Sequence, residues 1–440
     1  MPSTSLLPEE LTSEWAGRIA AMMLEGFPGV AAAVHHRGRI LWARGFGFSD
    51  LETRRPMGPG TVVRLGGMTK LFTAAAVMLL RDAGALQLDD LVARHVPEFP
   101  SGIVTVRQLL CHASGLQREA PLPRHVVPRG EALRAVLPEV EFLFPPFARW
   151  KYSSLGYCVL GELVERVAGE PYTDFVTSRI IEPLGMDEVT FEPAALPRIR
   201  MARGYRRAVD RDSVTRDHQA WDEAATAAGQ LFGTALDLCT FGSFLAGDRD
   251  GLVLRTETLE EMRRPAMVVD QSWDHGQGLG PTLVRRGGAV LVGHAAVLPS
   301  FSGWMLASPE TGVGAVLMAN AGDAPALPVV ASMIEDAARH VSGPTAIPAE
   351  VPAPAIEQVL GRYASDGATL VLAWRGGRLV AHHDRGAGLG PSAPVELESV
   401  GTDTFRFLDG SYCGEAMRVL RHPSGRIHGF EVCNRSYERI

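Results

Sequence analysis

The segment Lys70-Leu71-Phe72-Thr73-Ala74-Ala75-Ala76-Val77-Met78-Leu79-Leu80-Arg81 is apolar at nearly every position. A run of that length built from strong helix formers predicts an apolar helix. Gly84 is placed to cap its end. Upstream, Met1 to Gly26 carries Glu9, Glu10, Glu14 and Arg18 and reads as an amphipathic helix. Val30 to Val34 and Ile40 to Ala43 flank Arg37-Gly38, which predicts a hairpin with a glycine at its turn. Asp50 to Pro59 is a polar, proline-marked connection. Residues 85 to about 225 hold helical stretches such as Leu155–Val167, broken by loops that carry Pro121, Pro123, Pro128, Pro138, Pro145 and Pro146. Such a long irregular region is expected to wall a substrate site.

From Val290 the pattern changes. Ala289 to Val292, Phe301 to Ala307 and Val313 to Ala319 read as strands, the last two joined by the turn-rich Ser308-Pro309-Glu310-Thr311-Gly312. Leu327 to Val341 reads as a helix. Strands near both ends of this stretch predict one α/β domain over residues 1–343, closed by its two ends, with a mostly helical insertion at about 85–225. Pro344, Pro348, Pro352 and Pro354 predict a stiff linker over 344–355. Beyond it, Thr369–Trp374, Arg378–His382, Thr404–Leu408, Met417–Arg421 and Gly429–Val432 read as short strands, with turns at Gly376-Gly377 and Ser424-Gly425. They predict a small β-barrel-like domain over 356–440.

The 440 residues are 46% hydrophobic, enough for a large core. The net charge of −7 without any run of Lys or Arg excludes nucleic acid and anionic membrane as expected partners. No 18-residue apolar run predicts a membrane span, and no basic start followed by an apolar stretch predicts a secretory signal. The cysteines (Cys111, Cys158, Cys239, Cys413, Cys433) are odd in number and scattered, which favours a reduced, cytoplasmic compartment. No cofactor or metal is expected. His35-His36 and His382-His383-Asp384 lack a ligand set at metal spacing, and Gly276-Gln277-Gly278-Leu279-Gly280 is not set between a strand and a helix. The expected partner is a small-molecule substrate, and the oligomeric state stays open.

Candidate chemistry sits at the mouth of the apolar helix, in Arg64-Leu65-Gly66-Gly67-Met68-Thr69-Lys70. Further segments follow in order: Thr105-Val106-Arg107-Gln108-Leu109-Leu110-Cys111-His112-Ala113-Ser114-Gly115-Leu116, Tyr152-Ser153-Ser154, Glu182-Pro183-Leu184-Gly185-Met186, and Gly293-His294-Ala295-Ala296. Over roughly residues 15 to 340 the set resembles the class C β-lactamase and penicillin-binding-protein-like serine hydrolases. The resemblance implies a β-lactamase/transpeptidase-like fold, an antiparallel sheet flanked by helices. It also places the family's Ser-x-x-Lys motif on Gly67 and Lys70, so a glycine stands where the nucleophilic serine is expected.

By the same resemblance, Lys70 and Tyr152 are a proton-transfer pair. A lysine buried on an apolar helix is disfavoured as an ammonium, which suits a general base. Ser154 takes the place of the motif's asparagine and cannot offer its amide N–H. His294 takes the place of the third motif's Lys or His and is expected to orient substrate or share a proton. Ala296 replaces that motif's glycine and is expected to narrow the groove. The N–H groups of Gly67 and Val297 are expected to form an oxyanion hole. The expected function is noncovalent acid–base chemistry on a small carbonyl compound. Two alternatives remain: a serine-hydrolase-type esterase, amidase or acyltransferase with Ser154 as nucleophile or a serine removed by engineering, and a ligand-binding protein with a dead site. On the sequence alone, restoring Gly67→Ser is expected to give weak esterase activity.

Overall fold

The computed structural model describes residues 7–119, 129–207, 213–217, 225–249, 251–286, 288–341, 352–365, 368–375, 377–384, 394–408, 410–433 and 435–440. Contacts divide the chain into two compact units, Met1–Ser342 and Gly343–Ile440. Pro121, Pro123 and Pro128 of the expected site wall, and residues 344–351 of the expected linker, lie outside the described residues.

In the first unit, nine strands among the described residues form one antiparallel sheet. Strands β1 (Gly29–His36), β2 (Arg39–Asp50) and β3 (Arg55–Pro56) come from the chain start. Strands β4 (Met267–Val268), β5 (His275–Gln277), β6 (Thr282–Arg286), β7 (Ala289–Val297), β8 (Ser302–Ala307) and β9 (Val313–Ala319) come from its later part. The order is β3-β2-β1-β9-β8-β7-β6-β5-β4, so β1 pairs with β9 and joins the two halves, with Val30 opposite Ala319. The expected hairpin is present. Its turn residues Arg37 and Gly38 both have positive φ (48° and 77°), the backbone of a turn that matches strand twist. β2 runs past Ala43 to Asp50, where Gly45 and Gly47 interrupt the apolar alternation that marks a strand.

Helices cover both faces of the sheet. On one face, α1 (Glu9–Met23) packs with α5 (Ala326–Val341). Trp15 meets Trp42 edge to face at 5.6 Å and donates its indole N–H to Asp336 Oδ2. On the other face lie α2 (Thr69–Asp82), α3 (Ser154–Ala168) and α4 (Ala235–Ala246). α2 is buried at every position from Thr69 to Met78, and Phe72 stacks on Phe241 of α4 at 4.0 Å. It ends as expected: Gly84 is left-handed (φ 74°), and the Ala85 N–H returns to the Leu80 carbonyl. None of the described helices is long and apolar enough to cross a membrane.

The second unit closes eight strands into a barrel among the described residues, from Gly361–Ser365 round to Arg435–Arg439, where Tyr363 faces Arg439. Tyr363, Phe405, Phe407, Met417, Phe430 and Tyr437 fill its core.

Candidate functional site

The site is built where α2 meets the edge of β7. A 3₁₀ turn, Gly66–Met68, leads directly into α2. Gly66 is left-handed (φ 51°), and a side chain there would press on Leu298 at 3.1 Å. Lys70 lies one turn further on and is 2% exposed. Its Nζ donates to the Ala228 carbonyl at 2.8 Å. On the same helix face, Thr69 Oγ1 accepts from Leu231 N–H and Thr73 Oγ1 donates to the Ala227 carbonyl. Three side chains at helical spacing therefore pin the 226–231 segment along α2. Arg64 adds a bond to Gln230 Oε1.

The helix Val106–Leu110 shows why the histidine segment matters. Thr105 and Gln108 cap its start reciprocally. Past its end, His112 takes a left-handed turn (φ 56°). Its Nδ1 accepts the Ser153 N–H at 3.1 Å, and its carbonyl accepts the Lys151 N–H at 2.8 Å. His112 thus holds the backbone on both sides of Tyr152. Its ring packs on the Tyr152 ring at 4.5 Å. Burial first, then the charges of Lys70, His294, Lys151 and Arg118, hold His112 well below the ordinary imidazole range. It is therefore neutral, with its proton on Nε2.

The Tyr152 ring has two basic side chains close to it. Lys70 Nζ lies 5.0 Å and Arg118 Cζ 5.1 Å from its ring centroid. The Lys70 amine donates to a backbone carbonyl and meets Tyr152 through the aromatic ring. Ser153 caps α3: its Oγ accepts from Gly156 N–H and donates to the Gln117 carbonyl. Ser154 is then the first residue of α3 and lines the cavity described below.

His294, on β7, is 4% exposed. Its Nδ1 donates to the carbonyl of Ala295 at 2.8 Å, which leaves the lone pair on Nε2. That Nε2 is buried and has no hydrogen-bond partner among the described residues. Burial first, then the charge on Lys70, lowers its pKa to about 3, against the opposing pull of its bond to Ala295. The ring and the Ala295 carbonyl fill the space beside Gly67. A Cβ on residue 67 would lie 2.7 Å from Ala295 O and 2.9 Å from His294 Cε1.

Ala296, by contrast, is 1% exposed and packs in the hydrophobic core, away from the cavity. The crowding of the groove expected from its methyl group is supplied by His294 instead. The backbone of Val297 does reach the site. Leu298 N–H bonds the Phe301 carbonyl across the hairpin, so the facing pair Val297–Ser302 is not hydrogen-bonded. The Val297 N–H therefore points away from β8, on the side of the Ala295 carbonyl and Gly67. The Gly67 N–H stands at a helix start, where such groups lack intrahelical partners.

These groups border a cavity of about 940 Å³. Trp150, Leu155, Val269, Leu298 and Trp304 give it apolar walls, and Arg118, Lys151, Arg206, Glu119 and Asp217 add charge. Gly67, Lys70, Tyr152, Ser154, His294 and Val297 all line it. Sequence reasoning missed the Ala228 carbonyl, which sits on the one-turn helix Thr226–Gly229, and Arg118 and Trp150, which come from loops without a periodic pattern. No group of three or more metal-ligating side chains occurs among the described residues.

This sheet, with a buried lysine one helical turn beyond the Gly67 position and a tyrosine beside it, defines the β-lactamase/transpeptidase-like class of hydrolases. A family model described as Beta-lactamase matches residues 16–338, and the chain belongs to that family. A domain of unknown function (DUF7586) matches residues 352–436. The Staphylococcus aureus (strain MW2) protein flp is 24% identical over 304 residues, which cover 67% of this chain. Those residues span 59% of that relative's length. Among solved structures, the octameric penicillin-binding protein homologue from Pyrococcus abyssi superposes with a TM-score of 0.66 at 22% identity. It covers 97% of this chain and 99% of its own. The D-stereospecific amidohydrolase from Streptomyces sp. superposes at 0.64 with 26% identity, covering 73% of this chain and 98% of its own.

Proposed function

We propose that the chain is an enzyme that acts on a small carbonyl-containing metabolite without an acyl-enzyme. The observation that carries this reading is the filled space beside Gly67. No hydroxyl is present there, and the His294 ring and the Ala295 carbonyl occupy the volume a serine side chain would need. The rest of the apparatus fits proton transfer. One N–H of Lys70 is committed to Ala228, and Lys70 lines the cavity with its Nζ 5.0 Å from the Tyr152 ring centroid. The substrate carbonyl would sit against the N–H groups of Gly67 and Val297, which stabilise negative charge as it develops on oxygen. Lys70 and Tyr152 would move the proton to or from the adjacent atom. Neutral His294, its Nε2 buried, would shape the cavity beside Gly67 and so orient the substrate. Rearrangement, cyclisation, elimination and water-mediated hydrolysis all use these elements.

Lys70→Ala is expected to cost at least about 10²-fold in turnover, the lower end for general acid–base catalysis. Tyr152→Phe should cost a similar factor, and the double variant little more than either alone. The assay follows conversion of candidate carbonyl metabolites by mass spectrometry. Near-normal turnover of a converted substrate by both single variants would leave a pocket that binds but does not move protons there.

A further inference from the structure

We propose that Thr73 and Tyr172 are positioning residues for the chemistry at Lys70: together they hold the Ala228 carbonyl where it meets the Lys70 amine. The inference rests on the reading of Lys70 as a group that moves the proton. Both side chains are buried, and neither is among the described residues that line the cavity. Thr73 lies three residues beyond Lys70 on α2, on the same helix face. Its Oγ1 is 2.6 Å from the Ala227 carbonyl, 2.8 Å from the Tyr172 hydroxyl and 3.4 Å from the Thr69 carbonyl. A threonine hydroxyl has one proton to give. A carbonyl can only accept, so the short contact to Ala227 takes that proton. The tyrosine must then donate to Thr73. The chain of bonds runs from Tyr172 O–H to Thr73 Oγ1, and from Thr73 O–H to Ala227. In such a chain each bond strengthens the next. Tyr172 is itself fixed. Its N–H donates to Glu165 Oε2 of α3 at 2.9 Å, and its ring meets Phe191 edge to face at 5.6 Å. The strut thus runs from α3, through α2, to the one-turn helix Thr226–Gly229.

A helix of four residues has too few internal bonds to hold its own shape. It takes its position from what it is tied to. The Ala227 and Ala228 carbonyls belong to successive peptide planes, so a turn of the first tilts the second. Removing the Thr73 hydroxyl strips a donor from a buried acceptor, which then moves toward another. The Ala228 carbonyl would leave its 2.8 Å bond to Lys70 Nζ. The amine would in turn leave its place 5.0 Å from the Tyr152 ring centroid and 5.8 Å from that of Tyr157.

The chain has two lysines, Lys70 and Lys151, so labelling lysine with carbon-13 gives a simple NMR spectrum of the full chain. Lys151→Arg assigns the signals. Those of the Lys70 Cε–H groups should be displaced from free-lysine values by the two aromatic rings. Thr73→Val should move them toward the free-lysine values, whereas Thr73→Ser, which keeps the hydroxyl, should hold them in place. Tyr172→Phe should move them the same way by less, since Thr73 keeps its bond to Ala227. Where a metabolite is converted, Thr73→Val should lower kcat by about 10²-fold and leave KM unchanged, as misplacement of a reacting group does. Melting curves identify any variant that fails to fold, and if Thr73→Val is one, Tyr172→Phe decides. An unmoved Lys70 signal in the folded variant overturns the inference. So does a Thr73→Ser signal displaced as far as that of Thr73→Val. The spectrum needs no turnover, so a moved signal with unchanged kcat overturns the proton-transfer reading rather than the strut.

Discussion

Gly67→Ser is the substitution on which sequence and structure disagree most. The motif alone predicts a gain, because a hydroxyl would return beside Lys70. The geometry predicts a loss. Residue 67 is not in the left-handed region, so its backbone tolerates a side chain and the obstacle is space. The new Cβ would lie 2.7 Å from Ala295 O and 2.9 Å from His294 Cε1. The first is backbone of a paired strand, and the second belongs to a ring that is 4% exposed. Overpacking of this kind costs about 1–3 kcal/mol. Displacing His294 also breaks its 2.8 Å bond to Ala295, worth about 1 kcal/mol. The total is about 2–4 kcal/mol. Gly67→Ala carries the same Cβ without the hydroxyl and should lose a similar amount, which separates crowding from chemistry. The assay is urea denaturation of all three proteins, with fluorophosphonate labelling of the serine variant. Unchanged midpoints together with stoichiometric labelling at residue 67 would refute the crowding argument.

Other consequences follow from burial. Burial first, then the charges of His36 and Arg249, lowers the pKa of His35 from 6.5 to about 4. The unfolded chain binds that proton more readily, so the contribution of His35 is complete above its unfolded value and is lost as pH falls from about 6.5 to about 4, by about 3 kcal/mol. His112 and His294 act in the same direction. Urea midpoints should drop steeply across that window, and His35→Asn should remove part of the drop; a flat profile would contradict the assignment. Because every residue lining the cavity belongs to Met1–Ser342, a chain ending at Ser342 should fold and bind any converted carbonyl metabolite as the full chain does. A folded truncation without affinity would show that the barrel contributes to binding.

What could be read in the sequence depended on whether the informative group was a side chain in a pattern. α2 and its Gly84 cap were legible because apolar helix formers and a glycine stop act locally. The hairpin at Arg37-Gly38 was legible for the same reason. Barrel strands such as Val395–Gly401 and Arg435–Arg439 were not, since each buries a single large residue, Leu397 or Tyr437, and exposes most of the rest. In the site, order along the chain was enough to place Lys70, Tyr152 and His294 round one cavity. It could not show that Lys70 bonds a carbonyl 158 residues away, that His294 fills the space beside Gly67, or that Ala296 turns into the core. Those depend on backbone direction and on which face of β7 meets α2.

On the proposed mechanism no covalent intermediate forms, and intact-mass spectrometry reads this in a single experiment. The protein is incubated separately with a penicillin, a fluorophosphonate and an activated ester, and its mass is measured before and after. The mass should be unchanged in all three cases. A stoichiometric adduct that maps to Ser154, at the start of α3 and in the cavity wall, would contradict it and make this chain a covalent hydrolase with a displaced nucleophile.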